Sequence, residues 1–231
     1  MALSSDTTAV RRAIRRQGLA IGISVIPFGV AFGIACSEAN LSTGEAMGFS
    51  VLMFTGGSQF AAVRVLGDGG SAAAAVIAAI LLAMRSLAYG VVMAPVLTGS
   101  RWFRALASQL MIDESMAIAS AQVEPADQRY GYLAGGISIF ALWNASTFAG
   151  AALISSAGDL VSTWGLDATI PAAFLALLWP RLSNPTQRVV ALGGGAIAIG
   201  LVPVATAGLP IIAAAAAVSL ARLAPHRPRD P

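Results

Sequence analysis

Charge is scarce in this chain. Only 11% of its 231 residues are Asp, Glu, Lys or Arg, whereas a soluble domain carries roughly 25%. That is too little to cover a water-facing surface, so a large soluble core is a poor reading. Cysteine and histidine occur once each, as Cys36 and His226. A single cysteine cannot close an internal disulfide. A single histidine, placed in a charged tail, cannot build a histidine metal site or a hydrolytic triad. No Walker-type phosphate loop is visible, so ATP-driven pumping by this chain alone has no support, and no cofactor is expected. The formal net charge is only +3. The arginines cluster at the ends of apolar runs, as topology signals do, and not along a face suited to nucleic acid.

Apolar residues are abundant, at 57% of the chain, with a mean hydropathy of +0.76. The pattern predicts an all-α polytopic membrane protein with about eight apolar segments, two of them candidates for re-entrant or broken helices. Residues 1–17 form a basic segment, with Arg11, Arg12, Arg15 and Arg16 holding the N-terminus in the cytoplasm. Residues 18–223 form the membrane transport domain and 224–231 a basic tail. Gly33-Ile34-Ala35-Cys36 faintly resembles a lipoprotein cleavage site. A series of further apolar segments follows it, so Gly18–Cys36 reads better as a first span than as a leader. Pro27 should kink that span, and Gly29 and Gly33 should offer a flat packing face.

The second segment, Ala46–Leu66, is interrupted by Gly56-Gly57-Ser58-Gln59. A glycine pair frees the backbone from helical geometry. In hydrocarbon, freed backbone is tolerated only where it lines a cavity or is covered by protein. Arg85 lies near the middle of the third segment, Ser71–Leu97, roughly 20 Å from either end at a 1.5 Å rise. A centred arginine costs at least about 2.5–3.5 kcal/mol to insert, so a polar group should face it. The fourth segment, Ala105–Gln122, holds Asp113 and Glu114, and Gln109, Asp113 and Ser120 fall roughly along one helical face. Tyr130–Ser156 is a clear span with Asn144 at its middle. Three shorter segments follow, Leu166–Leu182, Val189–Thr206 and Leu209–Leu223.

If all eight segments cross, both termini are cytoplasmic, and Arg101 with Arg104 forms the one basic cluster left outside. If the second and fourth segments are re-entrant hairpins, that loop moves inside and the rest keeps its side.

Four local patterns carry a family resemblance. They are Pro27-Phe28-Gly29-Val30-Ala31-Phe32-Gly33, Gly57-Ser58-Gln59-Phe60-Ala61-Ala62, Ile112-Asp113-Glu114-Ser115, and Gly165-Leu166-Asp167 followed by Pro171-Ala172-Ala173-Phe174. In this order they resemble the AzlC family, the large subunit of bacterial branched-chain amino-acid exporters. The family usually has Asn-Leu-Arg-His at its membrane arginine, whereas Met84-Arg85-Ser86-Leu87 keeps only the arginine. Ile112 replaces the usual threonine and Ala168 the usual aromatic. The resemblance implies export of leucine, isoleucine, valine and methionine across the inner membrane, with a small hydrophobic AzlD-type subunit as partner.

Within that frame the residues leave two roles open at each place. Gly56, Gly57, Ser58 and Gln59 either bind a substrate carboxylate at a broken helix end or form a helix contact. Arg85 either clamps the carboxylate or balances Asp113 or Glu114 in an ion pair. Asp113 and Glu114, about 100° apart on a helix, either carry a proton or lie near water at a segment end. Asn144 is either a substrate ligand or a helix–helix hydrogen bond. A non-transporting membrane subunit that stabilises a partner is the rival reading of the whole chain.

Overall fold

The computed structural model describes residues 2–157, 175, 178–205 and 209–223. The expected Leu166–Leu182 segment, the fourth family pattern and the tail fall largely or wholly outside these residues. Every described element is helical. The first span is α1 (Ala2–Ser24) and α2 (Ile26–Glu38), interrupted only at Val25. Pro27 sits in the first turn of α2, where its missing amide costs nothing. The basic segment belongs to α1, which begins at Ala2. Its Arg11 pairs with Asp127 at 3.7 Å and lies over the Tyr130 ring.

The second segment breaks as its glycines predict. Helix α3 (Thr43–Leu52) starts from a reciprocal cap, in which the Ser42 hydroxyl accepts from the Glu45 amide and the Glu45 carboxylate accepts from the Ser42 amide. It stops at Met53, and α4 (Gly57–Gly67) begins after Gly56. Gly56 has φ +65°, a conformation that glycine adopts without penalty. Helices α5 (Ala72–Ala83) and α6 (Arg85–Met93) form one apolar span bent by 43° at Met84. The fourth segment breaks as the second does. Helix α7 (Arg101–Ser108), capped by the Ser100 hydroxyl, ends before an irregular stretch, and α8 (Asp113–Ser120) follows. The long α9 (Pro125–Ala157) is unbroken. Beyond it lie a 3₁₀ turn (Trp179–Ser183), α10 (Pro185–Leu201), α11 (Leu209–Ala214) and a last 3₁₀ stretch (Ala215–Leu223).

Both broken segments fold back to the side from which they enter. Gly67, at the end of α4, lies against Ala39 at the end of the first span, so both ends of the second segment share one side. The Arg129 guanidinium, at the start of α9, donates to the Thr98 carbonyl at 2.8 Å and covers the Phe103 ring. Arg11 and Asp127 sit at that same end, so the loop of Arg101 is on the side of the chain's N-terminus. The two arms of each hairpin do not pack along one another. Helix α3 rests on α9, and α4 rests on α5 and α2. This is the hairpin alternative of the sequence, and eight crossings do not follow. Among the described residues Thr7–Glu38 is the one stretch long and apolar enough to cross a bilayer, and the bent α5–α6 pair is a second candidate. Each hairpin arm of 8–11 residues is about 12–17 Å long, half of a ~30 Å hydrocarbon core.

The frame that holds the hairpins is a parallel crossing of α1–α2 with α9. Gly18 meets Gly135, and Gly29 meets the Trp143–Ser146 turn. Gly33 meets Thr147 to Ala151, and Gly150 meets the Val30 backbone. Small residues allow this approach, and packing is what associates helices in lipid. The buried core around it holds Phe32, Phe60 and Trp143, with ring centroids 5.3–6.5 Å apart. Val91 and Leu106 point outward, each at least 75% exposed. Such outward apolar side chains are what a bilayer, not water, would accept.

Candidate functional site

The hairpin tips meet in the middle of the molecule. The Gln109 carboxamide, in the second tip, donates to the Val51 carbonyl of the first at 2.6 Å. Helices α4 and α8 both begin at these tips, so two helix N-termini face a common space. Their partial positive charge favours anions there. The space is a cavity of about 320 Å³, walled by Thr55, Gly57, Arg85, Asp113, Glu114 and Trp143 and completed by Val25 and by apolar side chains from α2, α5 and α9.

Arg85 bridges the tips. One guanidinium nitrogen lies 3.0 Å from an Asp113 carboxylate oxygen, and another donates to the Thr55 carbonyl at 3.0 Å. The Tyr89 hydroxyl donates to the other Asp113 oxygen at 2.7 Å. Arg85 and Asp113 keep 35% and 22% of their side-chain surface exposed, so the pair lines the cavity and is not sealed in the core. The bend at Met84 carries Arg85 to the start of α6, where it reaches both tips. The centred arginine that the sequence finds costly is thus paired as the ion-pair alternative expects.

The other expected residues divide. Gly56 and Gly57 line the cavity. The Gly56 amide, however, is not available: it donates to Gln59 Oε1 at 3.0 Å. The Gly57 amide, first in α4, has no acceptor among the described residues. Ser58 and Gln59 are fully buried and turned away from the cavity. Gln59 fastens the first tip, since its amide nitrogen also donates to the Phe49 carbonyl at 3.0 Å. Its carboxamide is used up by the break itself, which corrects its expected place beside a substrate. Ser115 does the same work in the second tip, where its hydroxyl accepts from the Ile112 amide and donates to the Leu110 carbonyl.

Asn144 does not line the cavity and bonds to its own helix. Its amide donates to the Phe140 carbonyl one turn back on α9, and its oxygen is buried without a partner. Asp113 and Glu114 are not at a watery segment end; they open α8 at the cavity, and both line it. Consecutive residues can do so because the first turn of a helix is seen end-on. Gln109 and Asp113 do not share a helical face, because the break falls between them. The sequence reading missed Tyr89, the Thr55 carbonyl and Trp143. A tyrosine one turn beyond Arg85 was the available signal for Tyr89. Trp143 reads as packing, and a backbone carbonyl has no sequence signature.

An all-helical chain with two opposed hairpins, whose tips enclose an ion pair within an apolar bundle, defines a membrane protein with a central polar site. The sequence pattern of the AzlC protein family matches residues 20–156. The chain belongs to the AzlC family. A chain described as an uncharacterized membrane protein of Archaeoglobus fulgidus is 30% identical over 215 residues, covering 90% of this chain and 93% of that one. No solved structure matches.

Proposed function

We propose that this chain is the large subunit of a secondary transporter that exports branched-chain amino acids, with methionine as a further substrate. It acts across the inner membrane with both termini in the cytoplasm, coupled to protons, and with a small AzlD-type hydrophobic subunit as partner. The observation that carries the reading is the Arg85–Asp113 pair inside a cavity lined by two helix N-termini. A zwitterion needs a donor for its carboxylate, an acceptor for its ammonium and an apolar pocket for its side chain. Arg85 and the Gly57 amide supply the first, Asp113 and Glu114 the second, and Phe28, Leu82 and Ile139 the third. About 320 Å³ suits a small ligand. Discontinuous helices at the bilayer midplane are a recurring way to build such sites.

Proton coupling is part of the same reading, with Asp113 and Glu114 as the carboxylates at the cavity. A substrate carboxylate that takes the Arg85 guanidinium, with its ammonium on Asp113 and Glu114, exchanges one set of charge partners for another. The test is efflux of labelled leucine from cells expressing the chain with and without a small partner subunit, before and after the proton-motive force is collapsed. Efflux that needs this chain and falls with the gradient supports the reading. Efflux that is the same without this chain rejects it in favour of the partner-stabilising role, and efflux indifferent to the gradient rejects proton coupling.

A further inference from the structure

A second and larger space opens beyond the first tip. It holds about 760 Å³ and runs from Glu45, at the start of α3, to Ser86 on α6 and Ser108 and Gln109 at the end of α7. Phe54 and Thr55 wall both this space and the central cavity. The lining is mostly apolar, yet the Ser86 hydroxyl and the Gln109 carboxamide oxygen have no partner among the described residues. Two irregular backbone stretches also border it. Unpaired polar groups and broken backbone are not tolerated against hydrocarbon, but they are where water enters. The geometry points to a vestibule, open on the side of Glu45, that passes an amino acid with an apolar side chain to or from the central site. Phe54–Thr55 is the gate between the two chambers.

Arg85 latches that gate. It holds the Thr55 carbonyl with one nitrogen and Asp113 with another. A carboxylate bound in the fork geometry that guanidinium favours draws on those same donors. Substrate therefore releases the Thr55 carbonyl as it binds, and the barrier loosens only when the site is filled. The ligand assignment rests on the export reading above; the two-chamber arrangement does not.

Two glycines make the test direct. A side chain at Gly48, on the vestibule wall, meets no atom within 4 Å. One at Gly57, in the central cavity, meets only the Leu82 side chain, at 3.8 Å. With the buried Cys36 replaced by serine, Gly48→Cys and Gly57→Cys are exposed to a membrane-impermeant thiol reagent on the Glu45 side. Gly48→Cys should react at least about ten-fold faster, and leucine should change the Gly57→Cys rate several-fold. Arg85→Ala should bring the two rates together without leucine, and Arg85→Lys should fall between. Gly48→Cys reacting only with a lipid-soluble maleimide overturns the vestibule. Equal rates in the parent protein overturn the gate. If leucine is not transported and changes neither rate, but the ten-fold gap stands, the export reading falls and the chambers remain.

Discussion

Adding one methyl group at Gly150 should separate the first span from α9. A Cβ there would stand 2.9 Å from the Val30 carbonyl carbon, 3.0 Å from its Cα and closer still to its oxygen. Ordinary contact begins at 3.4 Å. All three atoms are backbone, so no rotamer change makes room, and the helix must retreat by about 1 Å. A gap of that size forfeits a quarter to a half of the attraction of each contact along the crossing. The cost belongs at or above the upper end of the ~1–3 kcal/mol usual for overpacking. For a chain of this size that is about 5–10 °C in melting temperature, read in detergent by thermal unfolding. Gly33→Ala should behave alike, since its Cβ meets the Ala151 amide nitrogen at 2.5 Å. The double variant should cost less than the sum, because the first methyl has already parted the helices. Gly195→Ala on α10 is the control: nothing lies within 4 Å, so better helix propensity should leave stability unchanged or raise it by up to ~1 kcal/mol. A Gly150→Ala protein that melts within 1–2 °C of the parent (roughly 0.5 kcal/mol) would refute the close-crossing argument.

Arg85→Ala and Asp113→Ala should each abolish leucine efflux, and each leaves one charge of a half-buried pair unbalanced; the double variant should melt closer to the parent than either single one while remaining inactive, as a double-mutant cycle in detergent would show. Gly56→Ala should destabilise by about 1–3 kcal/mol, because its φ of +65° strains any other residue, whereas Gln59→Leu should cost about as much by orphaning the Gly56 amide. Arg101→Cys, in a protein freed of Cys36, should react with impermeant reagent only from the cytoplasmic side; labelling from outside alone would reject the second hairpin. The Ser42 hydroxyl and then its amide hold the Glu45 carboxyl below its usual value. The cap therefore contributes at pH values above the ordinary carboxylate range and is lost as pH falls through the lowered value, and hydrogen exchange in the first turn of α3 should quicken there, but not in Glu45→Gln.

Much of this plan was legible in one sequence, for identifiable reasons. Glycines at 56 and 57 announce a broken helix because little else tolerates that backbone, whereas Gly29 with Gly33 only offer a packing face, since such spacing recurs by chance in a chain with 24 glycines. Arg85 in mid-segment demands a partner on energetic grounds, which left Asp113 or Glu114 as the choices. The direction in which each broken segment continues was not legible, since a turn back and a passage onward share one local sequence. It is decided by contacts far along the chain, Ala39 with Gly67 and Thr98 with Arg129. The fate of Ser58, Gln59 and Asn144 was hidden for a related reason. A polar side chain in an apolar run reads the same whether it serves a ligand or its own backbone. The break consumes Gln59, and α9 consumes the Asn144 amide.

The bond between Gln109 and the Val51 carbonyl has a consequence for how the chain is made. Synthesis delivers the first tip long before the groups that finish it: Arg85 emerges 30 residues after Thr55, and Gln109 emerges 58 residues after Val51. Until both have left the ribosome, that tip carries unsatisfied carbonyls that lipid will not accept. It must wait in the insertion machinery or at the membrane surface, and ribosome-stalled chains ending before residue 85 should therefore remain open to protease at the Met53–Gly56 turn.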